Sequence, residues 1–188
     1  MKASTLLFAA TLFILTSCGS EQVVHMDMKV QEVIEYFDQQ NKRVITFVGY
    51  SGAGYADEAK MLEIAAEELD KLNPSTTIIN IGATPDGIGK VYELAKARGM
   101  MTTGIVSTQA IKYEAEPSPF VDEVFYIEDD IWGGYEGDSQ VLSPTSTTLI
   151  SVSDEIVGIG GGDIAKVELE VAKKLNKVVR TYPADKRQ

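Results

Sequence analysis

Cysteine and histidine are nearly absent from this chain of 188 residues, since each occurs only once, as Cys18 and His25. A single cysteine excludes an intramolecular disulfide, so the folded part must rely on its hydrophobic core. The lone histidine lies in a short polar stretch, where we expect it to be solvated and not a ligand or base. Catalysis, if any, is therefore expected to run without the most frequent general base.

Positive charge is also scarce, with 17 lysines and arginines against 28 aspartates and glutamates and a formal net charge of −11. A surface of this sign repels phosphate backbones and anionic lipid head groups. We therefore expect no nucleic-acid partner. The chain also shows no internal repeat, low-complexity stretch or second domain.

A long apolar segment is missing as well. The run from Leu6 to Leu15, interrupted by Thr11, is about half of the ~20 residues that a membrane-spanning helix needs. It follows Lys2 and precedes small residues, which is the layout of a cleaved secretory signal. We predict export of the chain and removal of residues 1–17.

The tetrapeptide that ends at Cys18, Leu-Thr-Ser-Cys, resembles the bacterial lipobox. The resemblance implies cleavage before Cys18, lipid on its thiol and a firm anchor made by several acyl chains. Residues 18–28 are then a lipidated tether and 29–188 the folded domain, placed on the extracytoplasmic side of the cell envelope. Gly19 favours the outer membrane where a cell has two. An ordinary signal with a chance cysteine is the alternative.

Strand-like and helical periods alternate along the rest of the chain. Helices are predicted from about Val30, after Asp57 as N-cap, over 86–98, from Pro144 to about Val152, and up to Leu175. Strands are predicted over 44–48, 76–81, 101–106, 123–127, 155–159 and 177–181. This alternation indicates one three-layer, Rossmann-like α/β domain with a mainly parallel sheet, whose ligands bind at the carboxyl ends of the strands.

Glycines gather at those strand ends, first in the segment 49–54. As a nucleophile elbow this segment lacks the second glycine, at Ala53, and no histidine follows it. As a dinucleotide fingerprint it lacks the acidic residue that should end the next strand. No glycine loop is followed by the Lys-Ser or Lys-Thr pair of a Walker site. The common nucleotide motifs are therefore excluded.

The segment Gly160-Gly161-Gly162-Asp163 leaves a strand and opens a helix, where free amides and the helix dipole favour an anion. A phosphate site is one interpretation. The other is a tight strand-to-helix turn in which Asp163 serves only as the N-cap. The Asp163 carboxylate itself opposes a phosphate.

The order of these motifs resembles the SLOG superfamily, which includes the Lonely Guy phosphoribohydrolases and the lysine-decarboxylase-like proteins. The resemblance spans roughly residues 44–181 and rests on three glycine-containing segments, 48–52, 82–89 and 159–168. It implies a Rossmann-like fold and a nucleotide or related small ligand. In the enzymes of this group a Gly-Thr pair binds phosphate, a glutamate acts on the ribose, and an upstream arginine assists.

Two of those three elements are replaced in this chain. Glu168 matches the glutamate, but Ile164 and Ala165 stand in place of Gly-Thr, and the helix 144–152 has no arginine. Such losses remove charge stabilisation that the reaction needs. Glu168 is thus the catalytic candidate if the chain is an enzyme, and otherwise a residue at the helix surface or core edge.

The segment 128–142 is acidic and glycine-rich, and contains the only tryptophan. Its carboxylates match no calcium loop, so we expect a solvated loop and no metal site. Trp132 and Tyr135 are expected to cover the crevice or pack on it.

The sequence thus predicts a lipid-anchored envelope protein whose domain binds a small ligand without a resident cofactor and is not a conventional enzyme. The alternatives are a nucleoside 5′-monophosphate phosphoribohydrolase that uses Glu168, and a protein-interaction module. The residues predicted to line the ligand pocket are Ser51, Gly52, Thr84, Asp86, Gly160, Gly161, Gly162 and Asp163.

Overall fold

The structure is a computed structural model and describes residues 22–188. The predicted signal and the lipidation site Cys18 lie outside the described residues. Within the described part, no helix has both the length and the apolar character that crossing a bilayer requires.

The described residues form one seven-stranded sheet in which every neighbouring pair of strands is parallel. The strands lie in the order β1-β5-β4-β3-β2-β6-β7. Their bounds are β1 (Val23–Met28), β2 (Arg43–Gly49), β3 (Thr77–Ile81), β4 (Met101–Ser107), β5 (Glu123–Ile127), β6 (Glu155–Ile159) and β7 (Val178–Tyr182). The predicted single α/β domain is confirmed, and the sheet is wholly parallel.

Six helices cover the sheet on both faces. They are α1 (Val30–Gln39), α2 (Glu58–Leu69), α3 (Val91–Ala97), α4 (Gln109–Lys112), α5 (Pro144–Val152) and α6 (Asp163–Lys174). Helices α2, α3 and α4 contribute to the core on one face, and α1, α5 and α6 to the core on the other. The three predicted layers are therefore present.

Strand β2 shows how the sequence separates the two cores. Successive side chains of a strand point to opposite faces. Ile45 and Phe47 accordingly join the core beneath α2 and α3, whereas Val44 and Val48 join the core beneath α5 and α6. All four are buried, as expected for a central parallel strand covered on both sides.

A row of buried polar side chains crosses the sheet under α5. The Asn80 amide donates to Thr46 Oγ1 at 3.2 Å and accepts from Thr103 Oγ1 at 3.2 Å. Thr46 Oγ1 also lies 2.6 Å from Ser153 Oγ, whose hydroxyl donates to the Leu149 carbonyl. Because each of these groups has a partner, the row fixes the last turn of α5 against β2 and β3.

The N-terminal strand corrects one prediction. The tether predicted for residues 18–28 is wrong over its second half, because residues 23–28 form the edge strand β1 and pair with β5. His25, expected to be solvated, instead stacks on Phe125 with ring centroids 4.4 Å apart and lies 2.8 Å from Glu123 Oε2. Val23, Val24 and Met26 are about half exposed, so the strand has no clear apolar alternation that would reveal it.

Most other predicted boundaries hold within two residues. Asp57 caps α2, since its side chain accepts from the Lys60 amide at 2.9 Å. The helix predicted over residues 86–98 begins instead as a 3-10 turn, Gly87–Lys90, and becomes α-helical at Val91. Gly87 has a positive φ (56°), which favours glycine, and a Cβ there would collide with the Tyr50 and Ser51 carbonyl oxygens.

The order of the strands locates a crevice. From β2 the chain passes to β3, β4 and β5 on one side, whereas β6 and β7 lie on the other side. Strands β2 and β6 are neighbours, and the loops that follow them therefore lead to opposite sides of the sheet. In open α/β sheets such a switch point, at the carboxyl ends of the strands, is where ligands bind.

Candidate functional site

A cavity of about 670 Å³ opens at this switch point. Its walls come from the ends of β2, β3 and β4 with their loops, from α5 and the N-terminal half of α6, and from Trp132 of the 128–142 segment. The lining is mostly apolar, with Phe47, Ile81, Ile105, Val106, Tyr126 and Leu149 among its members. Its size and apolar character are those of a site for a compact organic molecule.

The loop after β2 forms one rim of the cavity through Tyr50 and Ser51. Tyr55 holds this loop in place: its hydroxyl donates to the Ile159 carbonyl at 2.8 Å and accepts from the Tyr50 amide at 3.1 Å. Burial raises the pKa of Tyr55, so the hydroxyl keeps its proton. A side chain at Gly49 would collide with this hydroxyl, at 2.0 Å from its first carbon. The glycine is thus required for packing.

The loop after β3 forms a second rim. Thr84 lines the cavity, and its hydroxyl lies 3.3 Å from the amide of Asp86, which stabilises the turn locally. Asp86 does not line the cavity, and neither does Gly52 of the first loop. These two residues are therefore not brought into the predicted site.

The third glycine segment divides into two parts. Gly160 and Gly161 have φ angles of 58° and 119°, and added side chains would meet Tyr50, Ala184 or Ala165 within 3 Å. Neither lines the cavity, and their backbone conformations are those that the tight-turn interpretation requires.

Gly162 and Asp163, by contrast, line the cavity. Gly162 has an ordinary negative φ, and no atom lies within 4 Å of where its Cβ would stand. Neither packing nor backbone conformation therefore requires a glycine at this position. Gly162 is the N-cap of α6, and the expectation that Asp163 is the cap is wrong, since Asp163 is the first residue of the helix. Its side chain is fully exposed.

Glu168 lies on the inner face of α6 and lines the cavity. It is 5% exposed, so the helix-surface interpretation is wrong. Ser146 Oγ donates to Glu168 Oε1 at 2.7 Å, which favours the ionised form, but burial outweighs this bond and raises the pKa of Glu168 to about 7. A carboxyl group that titrates near neutrality is suited to exchanging protons or hydrogen bonds with a ligand.

Thr145 is a site residue that the sequence analysis missed. It occupies the first turn of α5, lines the cavity and is 4% exposed. Its backbone amide donates to Asp129 Oδ2 at 2.9 Å. A usable signal existed: the helix after a parallel strand begins at the carboxyl edge, so residues that follow Pro144 belong to the ligand side.

The 128–142 segment packs on the same end of the domain. Trp132 lines the cavity, as predicted for an aromatic cover, and its exposed ring stacks on Tyr113 with centroids 5.9 Å apart. The Gly134 amide donates to Ser146 Oγ at 2.8 Å, which fixes the loop to α5. Tyr135 forms a bridge with Leu142 and does not line the cavity.

Charge is distributed unevenly around the cavity. Lys186 is its only basic lining residue within the described part of the chain, and it comes from the exposed C-terminal segment that bridges to Tyr55. Sequence analysis gave no signal for it. No arginine lines the cavity among residues 22–188. In the same described part, no group of three or more histidine, cysteine, aspartate or glutamate side chains is arranged to hold a metal ion.

The structure thus brings together Ser51, Thr84, Gly162, Asp163 and Glu168 around one cavity. It leaves out Gly52, Asp86, Gly160 and Gly161, although they lie in the loops that form the rims. What the residues around the cavity bind stays a prediction.

Neither protein-family models nor curated proteins give a significant match to the sequence. Solved structures do. The molybdenum cofactor binding protein from Rippkaea orientalis matches with a TM-score of 0.57 and 17% identity, over 77% of this chain and 78% of that chain. The molybdenum cofactor carrier protein from Chlamydomonas reinhardtii matches with a TM-score of 0.54 and 20% identity, over 74% of this chain and 76% of that one.

The structural-genomics protein TM1055 also matches, with a TM-score of 0.54 and 22% identity, over 73% of this chain and 72% of that chain. These identities are low, so the likeness establishes the fold. The neighbours are SLOG-type Rossmann-like proteins, and the resemblance predicted from the glycine segments is confirmed at this level. The described domain therefore has a three-layer Rossmann-like fold, as these neighbours do.

Proposed function

We propose that this protein is a binding protein for a small organic ligand, which it holds in the cavity between β2 and β6. The observation that carries the proposal is the cavity itself: about 670 Å³ of mainly apolar space at the switch point of a parallel sheet. A few polar groups, on Ser51, Thr84 and Glu168, are positioned to orient what enters.

The chemistry of the walls favours a flat, largely apolar molecule with a few polar groups, such as the heterocyclic part of a nucleotide or cofactor. Gly162 supports this choice, because a glycine without a packing or conformational role at a helix N-terminus leaves backbone amides accessible to a ligand. Two structural neighbours are named for binding or carrying the molybdenum cofactor. Cofactors of that kind belong in the test alongside nucleotides.

A thermal-shift screen of the purified protein tests this proposal. The panel contains nucleosides, nucleotides, sugar phosphates and pterin-type compounds. We expect at least one class to raise the melting temperature in a saturable, concentration-dependent way, since ligand that binds only the folded state stabilises it. A flat response to the whole panel would count against the pocket.

Gly162→Leu and Gly52→Leu form a matched pair for this screen. Both glycines are exposed, have no positive φ and offer open space for a side chain, but only Gly162 lines the cavity. We expect Gly162→Leu to abolish the shift and Gly52→Leu to retain it. Equal loss in both variants, or in neither, would contradict binding in this cavity.

We also propose that the domain is held at a membrane by lipid on Cys18, in the extracytoplasmic part of a bacterial envelope. The short apolar run and the Leu-Thr-Ser-Cys tetrapeptide support this proposal. Expression in a bacterial host with labelled palmitate tests it. Label and membrane association should both be present in the wild type and both be lost in Cys18→Ser; an unlabelled wild-type protein would overturn the proposal.

A second candidate activity is hydrolysis of the glycosidic bond of nucleoside 5′-monophosphates. The burial of Glu168 beside the cavity favours it, because a carboxyl with a raised pKa can act as a general acid or base. The absence of arginine from the described lining weighs against it, since Lys186 alone remains there to balance a phosphate.

Release of free base from the common monophosphates measures this activity directly. The hydrolase hypothesis expects turnover that Glu168→Gln abolishes. Glu170→Gln is the control, because Glu170 lies on the same helix but is exposed. Absence of turnover with every monophosphate would leave binding as the function of the site.

A further inference from the structure

The edge of the sheet at β1 carries exposed apolar side chains. Val24 and Met26 point to the same face of the sheet, because successive side chains of a strand alternate, and both are about half exposed. His25 points to the other face, where α1 covers the strand and the ring of Tyr36 lies 5.5 Å from the imidazole. Phe120, in the loop before β5, is exposed as well. We refer to Val24, Met26 and Phe120 as the β1 patch.

The start of β1 is fixed to the loop that carries Phe120. The side-chain amide of Gln22 donates to the carbonyl of Ser118 at 3.1 Å and to that of Val121 at 2.9 Å. Phe120 lies between these two acceptors in the chain. Its exposed ring therefore belongs to the same end of the domain as the first described residue.

Strand β1 is poorly protected for an edge strand. Soluble proteins usually protect their sheet edges with charged residues, lysine above all, or with proline. The sequence of β1, Val-Val-His-Met-Asp-Met, contains no lysine, arginine or proline, and within the described part it pairs only with β5. The opposite edge strand, β7, follows Lys177 and contains Arg180. An apolar cover is therefore needed at the β1 edge more than at the β7 edge.

The β1 patch lies close to the proposed lipid anchor. Only three residues separate Cys18 from Gln22. Four residue steps reach at most about 14 Å, whatever their arrangement. The β7 edge lies six strand spacings from β1, or about 29 Å. A lipid on Cys18 would therefore keep the β1 edge near the bilayer surface and leave the β7 edge away from it.

The chemistry of the patch fits neutral lipid. The charged groups beside it are already paired, since Asp122 Oδ1 accepts from Lys96 Nζ at 2.6 Å and Glu123 Oε2 lies 2.8 Å from His25 Nε2. The patch itself has no charged member, so its contact with lipid depends on apolar area and not on head-group charge. Weak contact suffices, because an anchored chain holds the patch at a high effective concentration beside the bilayer.

We infer that the β1 patch rests on the bilayer surface, with its apolar side chains among the head groups and the upper part of the acyl chains. The domain then stands on its β1 edge, and β7 is the strand farthest from the membrane. The inference rests on the proposed lipid anchor and specifies which surface of the domain meets the bilayer.

Tryptophan fluorescence in vesicles tests this orientation. The full chain, with Trp132→Phe so that an introduced tryptophan is the only one, is purified with its lipid and reconstituted in phosphatidylcholine vesicles with or without nitroxide-labelled head groups. Met26→Trp and Val178→Trp form a matched pair, because the two side chains are 49% and 53% exposed on opposite edge strands. We expect nitroxide to quench Met26→Trp at least about threefold more strongly, since the strand spacing separates the two positions by about 29 Å.

A second reporter separates contact through the patch from mere closeness to the anchor. Phe120→Trp places the tryptophan within the patch itself. Adding Met26→Asp should reduce its quenching at least about threefold, because a charge without a partner opposes apolar contact. Val178→Asp is the control, since it adds the same charge at the opposite edge; it should leave the quenching unchanged.

The outcomes separate this inference from the proposed anchor. Equal quenching of Met26→Trp and Val178→Trp, or quenching of Phe120→Trp that Met26→Asp leaves intact, overturns the inference while the anchor stands. Quenching that appears only with anionic lipid also overturns it. A dimer of the Cys18→Ser protein that Met26→Asp dissolves would assign this edge to a second copy instead. If the wild type carries no palmitate and does not bind vesicles, the anchor and the inference fall together.

Discussion

Ser146 and Glu168 connect the first turn of α5 to the inner face of α6, through a hydroxyl that donates to the carboxyl at 2.7 Å. The same hydroxyl accepts from the Gly134 amide at 2.8 Å, so the covering loop, α5 and α6 meet at one atom. The carboxyl group is thereby fixed in a site from which water is largely excluded. Its protonation state should affect both the stability of the domain and its ligand binding.

Stability should fall as pH rises through the titration of Glu168. Burial raises its pKa from 4.5 to about 7, so the folded state holds a proton that the unfolded state releases. The stabilisation is complete below about pH 4.5 and is lost as pH approaches 7. At about 1.36 kcal/mol per pKa unit, the loss is on the order of 3 kcal/mol.

Urea denaturation at pH 5 and pH 8 checks this pH dependence. Glu168→Gln should be as stable as the wild type at pH 5 and more stable at pH 8, because glutamine never ionises. Glu170→Gln, an exposed change on the same helix, should follow the wild type at both pH values. An equal pH response in wild type and Glu168→Gln would show that Glu168 titrates normally.

Two threonines on α5 should respond in opposite ways to the same substitution. Thr145→Val removes a buried hydroxyl without a partner and should stabilise the ligand-free protein by about 1 kcal/mol. Thr148→Val removes a hydroxyl that bonds the Pro144 carbonyl and should destabilise it by about 1 kcal/mol. Chemical denaturation of the two variants measures both changes in the free energy of unfolding. Destabilisation by Thr145→Val would reveal a partner for its hydroxyl.

The central strands and the glycine loops could be predicted because their signals are local. A strand buried on both faces reads as a continuous apolar run, as in Val44–Val48, and Gly160 and Gly161 mark a backbone turn that few other residues can make. The ends of these runs mark the ends of the strands, so the edge of the sheet at which ligands are expected to bind could also be predicted from the sequence.

The composition of the cavity was harder to predict because it depends on contacts between distant segments. Gly52 and Gly162 both lie in a glycine-rich segment that follows a strand, so the sequence does not distinguish them, but only Gly162 lines the cavity. Lys186 enters the site because the C-terminal segment returns to the first loop, where the Arg187 amide donates to the Gly54 carbonyl. The position of Thr145 after Pro144 places it at the ligand edge, but the lack of a partner for its buried hydroxyl is known only from the structure.

Glu68 is expected to stabilise the side of the domain where α2 meets β7. Its carboxylate, 1% exposed, accepts from Lys71 and Tyr182 and pairs with Arg180. Burial works to raise the pKa of Glu68, but the hydrogen bonds from Lys71 and Tyr182 and the charge of Arg180 outweigh it, so the pKa is lower than usual.

Glu68→Gln should therefore destabilise the protein by about 2 kcal/mol at neutral pH, since it removes one of the two carboxylates that pair with Arg180 and leaves only Glu155. The penalty should shrink as pH falls through the pKa of Glu68, because protonation removes the same charge from the wild type. Glu67→Gln, one residue earlier and exposed, is the control. Equal stability of Glu68→Gln and Glu67→Gln at pH 7 would mean that the ion pairs contribute nothing net.

His25 should matter for stability, although it lies in the segment that the sequence suggested was a tether. Its ring is parallel to that of Phe125, with centroids 4.4 Å apart, and its Nε2 lies 2.8 Å from Glu123 Oε2. His25→Ala should cost about 1 to 2 kcal/mol, through the lost stacking and the lost hydrogen bond. Met26→Ala, in the same strand with a half-exposed side chain, should cost much less. Urea denaturation of both variants decides whether β1 is part of the folded domain: equal and negligible losses would return residues 23–28 to the tether.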